Sequence, residues 1–297
     1  MISTSSAAST WLSEAVALLE RLGRTQGDAI ETASQWCAGA IAADGLVHLF
    51  GAGHSRIPVE EMFPRYGSYP GFNPIVELSV TFHTQVVGAN GQRQAMFIER
   101  TPGLAETILS NFQFGPRDVM MVFSAGGLTA LPVEMARGAK QRGLRVIAVT
   151  SVAQSMASEP DAAAGARLME VADLVLDICT PPADAMVTIP PLDTPVGPGS
   201  TIGAVAIVNL IKVRTAELLI ARGVTPPVIT RASVVGETRA KSLFEAAYRE
   251  HARRFARVID QQGRESEGTL PALPRHDAQA GARIQAPAVI GGGVEVP

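Results

Sequence analysis

The residues best suited to chemistry lie in two glycine-rich loops that also carry hydroxyl side chains. One loop, SAGGLT at 124–129, follows the apolar run DVMMVF (118–123) and precedes a helical pattern at 130–143. The other, GAGHS at 51–55, follows the apolar run LVHLF (46–50). Glycines let backbone N–H groups converge, serine and threonine add side-chain donors, and the start of a helix carries partial positive charge. Two such loops predict an anion site.

The candidate anion ligands are Gly53, Ser55, Ser124, Gly126, Gly127, Thr129 and Ser151. Ser151 stands apart because it follows the strand-like run LRVIAVT (144–150), where a hydroxyl is also an ordinary strand end. Hydroxyl and amide donors at a helix start bind a phosphate without a lysine. We therefore expect a phosphate carried on a small sugar.

Strand and helix patterns alternate along the chain, which predicts an α/β fold. Strands are expected at 46–50, 72–80, 118–123, 144–150 and 172–179. The alternation favours a doubly wound parallel sheet with helices on both faces. Right-handed crossovers would bring both glycine loops to the carboxyl edge of that sheet, where ligands bind in such folds.

Helices are predicted at 11–22, 28–43, 56–67, 103–112, 130–143, 201–222 and 238–259. The first two form a helical lead-in before the sheet. The helix at 201–222 is apolar on nearly every face, so it should be central or at a subunit interface. Ser200 or Thr201 is expected to cap it. Loops are predicted at 88–94, 151–165 and 181–201.

The helix predicted at 56–67 carries two adjacent glutamates, Glu60 and Glu61. Its apolar residues recur at i, i+3, i+4 and i+7, and the predicted core face holds Val59, Met62, Phe63 and Tyr66. On a helical wheel Glu61 falls opposite that face and Glu60 on its flank. The pair is either a solvated surface or a pair of carboxylates available to a ligand.

Composition excludes several classes of function. A net charge of −3 without a basic block argues against nucleic-acid binding. The best membrane candidate, IGAVAIVNLI (202–211), is too short to span a bilayer before Lys212 and Arg214. The N-terminal ten residues lack the parts of a secretory signal. Cys37 and Cys179 are expected to be free thiols in a reducing compartment, so we expect a cytoplasmic protein without a membrane partner.

Other ligand motifs fit poorly. GAGHSR (51–56) resembles half of a dinucleotide fingerprint, but an arginine stands where the third glycine belongs, and Glu77 matches the ribose-binding acid only by distance. The chain contains neither the Gly-Lys-Ser/Thr of a P-loop nor the Gly-x-Ser-x-Gly of an esterase. His54, His83 and Glu61 have no zinc-ligand spacing. We therefore predict no metal and no cofactor.

Taken together, the motifs resemble the SIS (sugar isomerase) domain family. VHLFGAGHS (47–55) is similar to its first conserved block, and FSAGGLTALPVEMARGAKQRGLRVIAVTS (123–151) to its second and third. HSRIPVEEMF, FNPIVEL, ADLVLDICTPPADAMV, VGPGSTIGAVAIVNL and ARGVTPPV look closest to an uncharacterised bacterial subfamily of phosphosugar isomerases or phosphosugar-binding proteins. The resemblance covers about residues 11–257 and implies a Rossmann-like sheet with a phosphosugar ligand.

The resemblance also assigns the second glycine loop. The family usually reads Ser-x-Ser-Gly-x-Thr there, and Ser124, Gly127 and Thr129 match. Gly126 replaces the second serine, which removes one hydroxyl that would bind the phosphate. Either backbone N–H groups and Ser55 compensate, or phosphate affinity is reduced.

Within the family, sedoheptulose 7-phosphate isomerases carry a paired-glutamate helix that resembles VEEM (59–62). By that resemblance Glu61 moves the proton between adjacent sugar carbons. Those enzymes have a histidine four residues earlier, where this chain has Ile57, and another on the late helix, which has none here. His54 or His83 would then assist the reaction.

Three functions stay open at this point. The first is aldose–ketose isomerisation through an enediol. The second is phosphosugar binding or regulation without turnover, which the missing histidine favours and the lack of an output domain disfavours. The third is a lyase or etherase acting on an amino-sugar phosphate.

We also expect one SIS domain at 10–259, with disordered ends at 1–9 and 260–297. A homo-oligomer, either a dimer or a tetramer, is expected because SIS sites are often completed by a neighbouring chain.

Overall fold

The protein, seen in a computed structural model, is described over residues 6–81 and 91–259. The helices are α1 (Ala7–Thr25), α2 (Gly27–Ala42), α3 (Ile57–Met62), α4 (Leu78–Thr81), α5 (Gly91–Ile98), α6 (Leu104–Leu109), α7 (Ala130–Gln141), α8 (Val152–Met156), α9 (Leu168–Val171), α10 (Ser200–Ala221), α11 (Ala232–Val235) and α12 (Glu237–Ile259). The strands are β1 (Val47–Gly51), β2 (Phe72–Pro74), β3 (Val119–Phe123), β4 (Arg145–Thr150), β5 (Leu174–Asp177), β6 (Ala185–Val187) and β7 (Val196–Pro198).

Five strands form one parallel sheet in the order β2-β1-β3-β4-β5, which confirms the predicted fold class. In the centre, Val47 of β1 lies opposite Val119 of β3, and Gly51 lies opposite Phe123. Strand β2, which follows β1 in the chain, pairs with one edge of β1, whereas β3 pairs with the other edge. In an open sheet of this order, the carboxyl ends of β1 and β3 flank the crevice where ligands bind.

Both faces of the sheet are covered, because successive strand residues point to opposite sides. In β3, Val119, Met121 and Phe123 belong to the core cluster that includes α2 and α10. The intervening Met120 and Val122 belong to the cluster on the other face, which includes α6 and α7. A strand buried on both faces reads as a continuous apolar run, as DVMMVF does.

The segment after the first glycine loop differs from its prediction. Helix α3 ends at Met62 rather than at 67 because Pro64 lacks the N–H group that would continue it. Tyr66, predicted to be buried, is 54% exposed. The strand predicted at 72–80 is also shorter, since pairing with β1 stops at Pro74 and the chain turns into α4.

Three segments predicted as irregular contain helix. The first is the N-terminus, where α1 begins at Ala7 because the Ser6 side chain accepts a hydrogen bond from the Ser9 amide. The second is the polar segment at 88–94, whose described part belongs to α5. The third is the loop predicted at 151–165, where Ser151 caps the short helix α8.

The proline-rich connection at 181–201 contains an antiparallel hairpin, β6–β7, rather than only extended chain. This hairpin places Asp184 at the start of α10, where its carboxylate accepts bonds from the Gly199 and Ser200 amides and from the Ser200 hydroxyl. The prediction that Ser200 or Thr201 caps α10 is therefore wrong. The cap comes from a residue distant in sequence.

None of the helices in the described ranges is long and apolar enough to cross a bilayer. His83 and the tail predicted at 260–297 lie outside the described residues.

Candidate functional site

A cleft of about 530 Å³ opens at the carboxyl ends of β1 and β3. Both glycine loops line it, as their position after these strands predicts. Other walls come from α5 and the residues just after it, from α8 and from the start of α10. Of the predicted ligands, Gly53, Ser55, Ser124, Gly126, Gly127 and Thr129 line this cleft, together with His54.

The carbonyl groups of the second glycine loop are held by the surrounding protein. The Ala125 oxygen accepts from the Ser151 amide at 2.9 Å and the Thr150 hydroxyl at 3.0 Å. The Gly127 oxygen accepts from an amide of α9, and the Leu128 oxygen accepts from the Asp161 amide. Three peptide groups of the loop are thereby oriented by their carbonyl ends.

The amide groups of the same loop are left for a ligand. Within the described ranges, the N–H groups of Ala125, Gly126, Leu128 and Thr129 have no acceptor. Backbone amides need a partner, so these groups bind water or a ligand in the cleft. Several N–H groups around a residue with positive φ form the anion-binding concavity known as a nest. Gly127 supplies that conformation with φ of 62°.

Ser124 shapes this nest. Its Oγ accepts a bond from the Gly127 amide at 3.1 Å, which folds the loop back on itself. The hydroxyl keeps its own proton for donation to a ligand, since a serine oxygen both accepts and donates. Ser124 therefore has a positioning role and an available donor.

The start of α7 adds positive potential at the same place. Thr129 is its N-terminal flanking residue, and its side chain makes no capping bond. The first turn holds no acidic residue, and Pro132 has no N–H group to satisfy. By contrast, the start of α10 in the same cleft is already neutralised by Asp184. The helix charge that remains available to an anion is therefore that of α7.

The first glycine loop approaches from the opposite side of the cleft. Gly51 is required for this approach because a Cβ there would lie 2.2 Å from the Ser55 carbonyl oxygen. Gly53 has φ of 57°, which favours glycine. These two glycines bring Ser55 and the exposed His54 to the cleft wall.

Glu99 and Arg100, which the sequence analysis did not select, also line the cleft. Burial raises the pKa of the Glu99 carboxyl; Arg100 lowers it and Asp161 raises it further. The Arg100 side chain binds Asp161 through Nε at 3.0 Å and lies 3.9 Å from Glu99. Asp184 also lines the cleft, but it is engaged in capping α10.

The sequence signal for Glu99 was weak. It follows α5 in a segment without a motif, and only the tertiary structure shows that its side chain is about a quarter exposed in the cleft. A carboxyl with a perturbed pKa in a cleft is a functional candidate.

Glu61 lies outside the cleft and does not occupy a free face. Its carboxylate accepts a bond from Asn209 of α10 at 2.9 Å and also pairs with Arg65. Its backbone oxygen accepts from the Lys212 ammonium group at 2.8 Å. The helical wheel places Glu61 opposite the apolar face of its helix. In the structure that side of the helix is covered by α10.

Ser151 is fully buried and does not reach the cleft. Its hydroxyl donates to the Thr180 carbonyl and accepts from the Gln154 amide. Its own amide holds the Ala125 oxygen. The structure thus gives Ser151 a role in orienting the loop and α8.

Cys37 and Cys179 are free thiols. Burial raises the pKa of the Cys37 thiol to about 12, so it is inert. Across residues 6–81 and 91–259, no three His, Cys, Asp or Glu side chains converge to hold a metal ion.

Comparison with known proteins places the chain among bacterial relatives. The SIS domain profile matches residues 10–151. A UPF0309 protein of Streptomyces griseus is 32% identical over 235 residues, which are 79% of this chain and 92% of the relative. A UPF0309 protein of Listeria monocytogenes serotype 4b is 30% identical over 219 residues, which are 74% of this chain and 86% of the relative.

Solved structures resemble the chain at lower identity. A phosphoheptose isomerase from Francisella tularensis is 13% identical, with a TM-score of 0.45 over 73% of this chain and all of that one. The Vibrio vulnificus NanR protein complexed with ManNAc-6P is 14% identical, with a TM-score of 0.43 over 82% of this chain and 69% of that one. These alignments describe the course of the chain and not its chemistry. The chain carries a SIS domain and belongs to the UPF0309 protein family.

Proposed function

We propose that this protein binds a phosphorylated sugar, with the phosphate held by the loop at 124–129. The observation that carries the proposal is the set of four loop amides that have no acceptor among the described residues, while three of the loop carbonyls are bonded elsewhere. The start of α7, where the Thr129 side chain makes no capping bond although the Glu99 carbonyl accepts from the Leu131 amide, and the Ser124 hydroxyl add to the same site. The SIS domain match supports the sugar as the carrier of the phosphate.

The test replaces Gly126 by aspartate or by asparagine. The position admits the first atom of a side chain, because a Cβ there meets nothing closer than 3.8 Å. Aspartate places a negative charge in the nest, whereas asparagine has the same shape without the charge. We expect Gly126→Asp to abolish phosphosugar binding and Gly126→Asn to bind more than tenfold more tightly than the aspartate variant.

The measurement is a thermal shift with sedoheptulose 7-phosphate, fructose 6-phosphate and the unphosphorylated sugars. A ligand at a hundredfold excess over its Kd stabilises the folded state by about 2.7 kcal/mol. Stabilisation by a phosphosugar but not by its parent, lost in the aspartate variant alone, supports the proposal. Equal binding by the two variants would show that the phosphate lies elsewhere.

The raised pKa of Glu99 favours a second step, proton transfer on the bound sugar. In an isomerisation, a carboxylate takes the proton from the carbon beside the carbonyl. The C–H electron pair forms a carbon–carbon double bond, the carbonyl π pair moves to the carbonyl oxygen, which takes a proton from an acid such as His54, and the enediol forms. Return of the proton to the former carbonyl carbon, with loss of the hydroxyl proton from the carbon that first gave up its hydrogen, gives the isomer. Glu99 and His54 line the cleft, whereas Glu61 does not.

Incubation with the stabilising sugar phosphate in deuterated water tests this step. An isomerase exchanges a proton at C1 or C2 and yields the isomer, a lyase releases a fragment, and a binding protein leaves the sugar unchanged. We expect exchange in the wild type and a loss of at least 100-fold in Glu99→Gln. The rate should rise with pH over a range higher than that in which an ordinary glutamate ionises, because the raised pKa means that the Glu99 carboxyl loses its proton at higher pH. Undiminished exchange in Glu99→Gln would remove Glu99 from the reaction.

A homo-oligomer is part of the proposal. Apolar side chains are exposed along α1, at Leu12, Val16 and Leu19, and along α10, at Leu210, Val213 and Ile220. Such side chains on neighbouring helices are typical of a surface that a second copy covers.

A cytoplasmic location, favoured by the two free thiols, is also proposed.

A further inference from the structure

Gln154 is a polar cleft residue whose amide is unused by the fold. It lies on α8, directly after β4, and its side chain lines the cleft beside the second glycine loop. Its Oε1 is buried without a partner, and no described residue accepts a bond from its Nε2. The buried Oε1 can be satisfied only by a donor, such as a hydroxyl of a ligand or a water, whereas the Nε2 is left to donate to an acceptor in the cleft.

The Gln154 side-chain amide lies near the position at which a serine side chain at 126 would begin. A Cβ built on Gly126 would meet the Gln154 Nε2 at 3.9 Å, with only Leu128 as close. The Gln154 Nε2 therefore borders the space that a serine side chain at 126 would enter.

Two hydrogen bonds through Ser151 connect the backbone of Gln154 to the loop at 124–129. Its amide N–H donates to the Ser151 hydroxyl at 3.2 Å, while the Ser151 amide donates to the Ala125 carbonyl at 2.9 Å. Ser151 thus joins α8 directly to the phosphate loop. The backbone position from which Gln154 reaches the cleft is thereby fixed relative to the loop.

We propose that Gln154 donates a hydrogen bond from Nε2 to the phosphate and replaces the serine hydroxyl that Gly126 lacks. This rests on the proposed phosphate site and names a ligand that no motif reveals. Gly126 and Gln154 form a compensating pair: the glycine leaves the space and the glutamine supplies the donor. Ser151, predicted as a direct ligand, acts through Gln154.

The experiment measures the affinity of the full-length protein for inorganic phosphate and for fructose 6-phosphate by titration calorimetry. The variants are Gln154→Ala, Gly126→Ser and the double variant, with Ser124→Ala as a test of the phosphate site itself and Gln141→Ala as the matched control on an exposed helix end. We expect Gln154→Ala to weaken phosphate binding about tenfold, as loss of a bond to a charged group does. The double variant should recover to within about threefold of the wild type, because the serine restores a donor.

The outcomes separate this inference from the proposed function. If Gln154→Ala binds like Gln141→Ala while Ser124→Ala binds weakly, the phosphate site stands and the role of Gln154 is overturned. If Gly126→Ser fails to rescue Gln154→Ala, the two residues do not compensate and the pairing is overturned. If the wild type binds neither probe, the proposed function fails together with the inference. Unchanged melting temperatures without ligand show that each variant is folded.

Discussion

Two adjacent glycines in the second glycine loop differ in their tolerance for a side chain. Gly127 has φ of 62°, and a Cβ there would lie 3.0 Å from the Leu168 Cβ and 3.1 Å from the Thr150 hydroxyl oxygen. Gly126 is not in the left-handed region, and its nearest neighbours would be at 3.8 Å. Lack of space therefore does not explain why residue 126 is a glycine rather than a serine.

Alanine at each position tests this difference. We expect Gly127→Ala to lower the free energy of unfolding by about 1–2 kcal/mol, because a non-glycine residue is strained at this φ. It should also weaken phosphate binding, because the nest must open to admit the Cβ. Gly126→Ala should stay within about 0.5 kcal/mol of the wild type. Urea unfolding measures both changes, and equal effects of the two substitutions would contradict the geometry.

The amino end of the sheet is held by a buried polar network that joins three strands. The His48 ring of β1 lies 3.1 Å from the Asp118 carboxylate through Nε2 and 3.0 Å from the Asn73 amide of β2 through Nδ1. Asp118 also accepts bonds from the backbone amides of Leu46 and Gly115. This end of the sheet therefore supports the strands, while the carboxyl end carries the cleft.

The charge of Asp118 makes this network sensitive to pH. Burial by itself raises the pKa of the carboxyl, but His48 and the two backbone donors outweigh it, so the pKa lies below its ordinary value. The ionised carboxylate then stabilises the fold above the ordinary pKa. This contribution is lost as the pH falls through the folded-state pKa.

We expect Asp118→Asn to cost about 1–3 kcal/mol at about pH 7, because the amide cannot accept from all three donors. The difference from the wild type should shrink toward about pH 4 and below, as the wild-type carboxyl takes up a proton. Urea unfolding across this range measures the effect, with the exposed Asp193→Asn as the control. A difference that does not vary with pH would contradict the role of the charge.

At the scale of the whole molecule, α1 and α10 present apolar surface that the described residues do not cover. Val213 is 64% exposed and Ile220 is 61% exposed, on a helix whose other face packs in the core. The Trp11 indole donates to the Gly197 carbonyl, which fixes α1 against the β6–β7 hairpin beside the cleft.

Sedimentation equilibrium should therefore give a mass of two or four times the 31.2 kDa chain. We expect Val213→Asp to shift the protein toward the monomer, because a buried unpaired carboxylate is costly in an interface. Val234→Asp, at an exposed valine on α11, is the matched control. A monomeric wild type, or dissociation caused equally by both variants, would contradict an interface on α10.

Much of the candidate site could be predicted because its residues are neighbours in sequence. Ser124, Gly127 and Thr129 lie in one strand–loop–helix unit, whose conformation follows from local apolar pattern and glycine content. Glu99 and Gln154 could not be predicted in the same way. They enter the cleft from other segments, and neither lies in a motif.

The sequence by itself determined the parallel sheet, the two glycine loops and their position at its carboxyl edge, because strand burial and turn chemistry act over a few residues. Only the tertiary structure decided which side chains share the cleft. In the folded chain, Glu61 contacts α10, Ser151 caps α8, and Asp184, directly before the β6–β7 hairpin, caps α10. These roles depend on contacts between distant segments, and no local periodicity encodes which segment will pack against which.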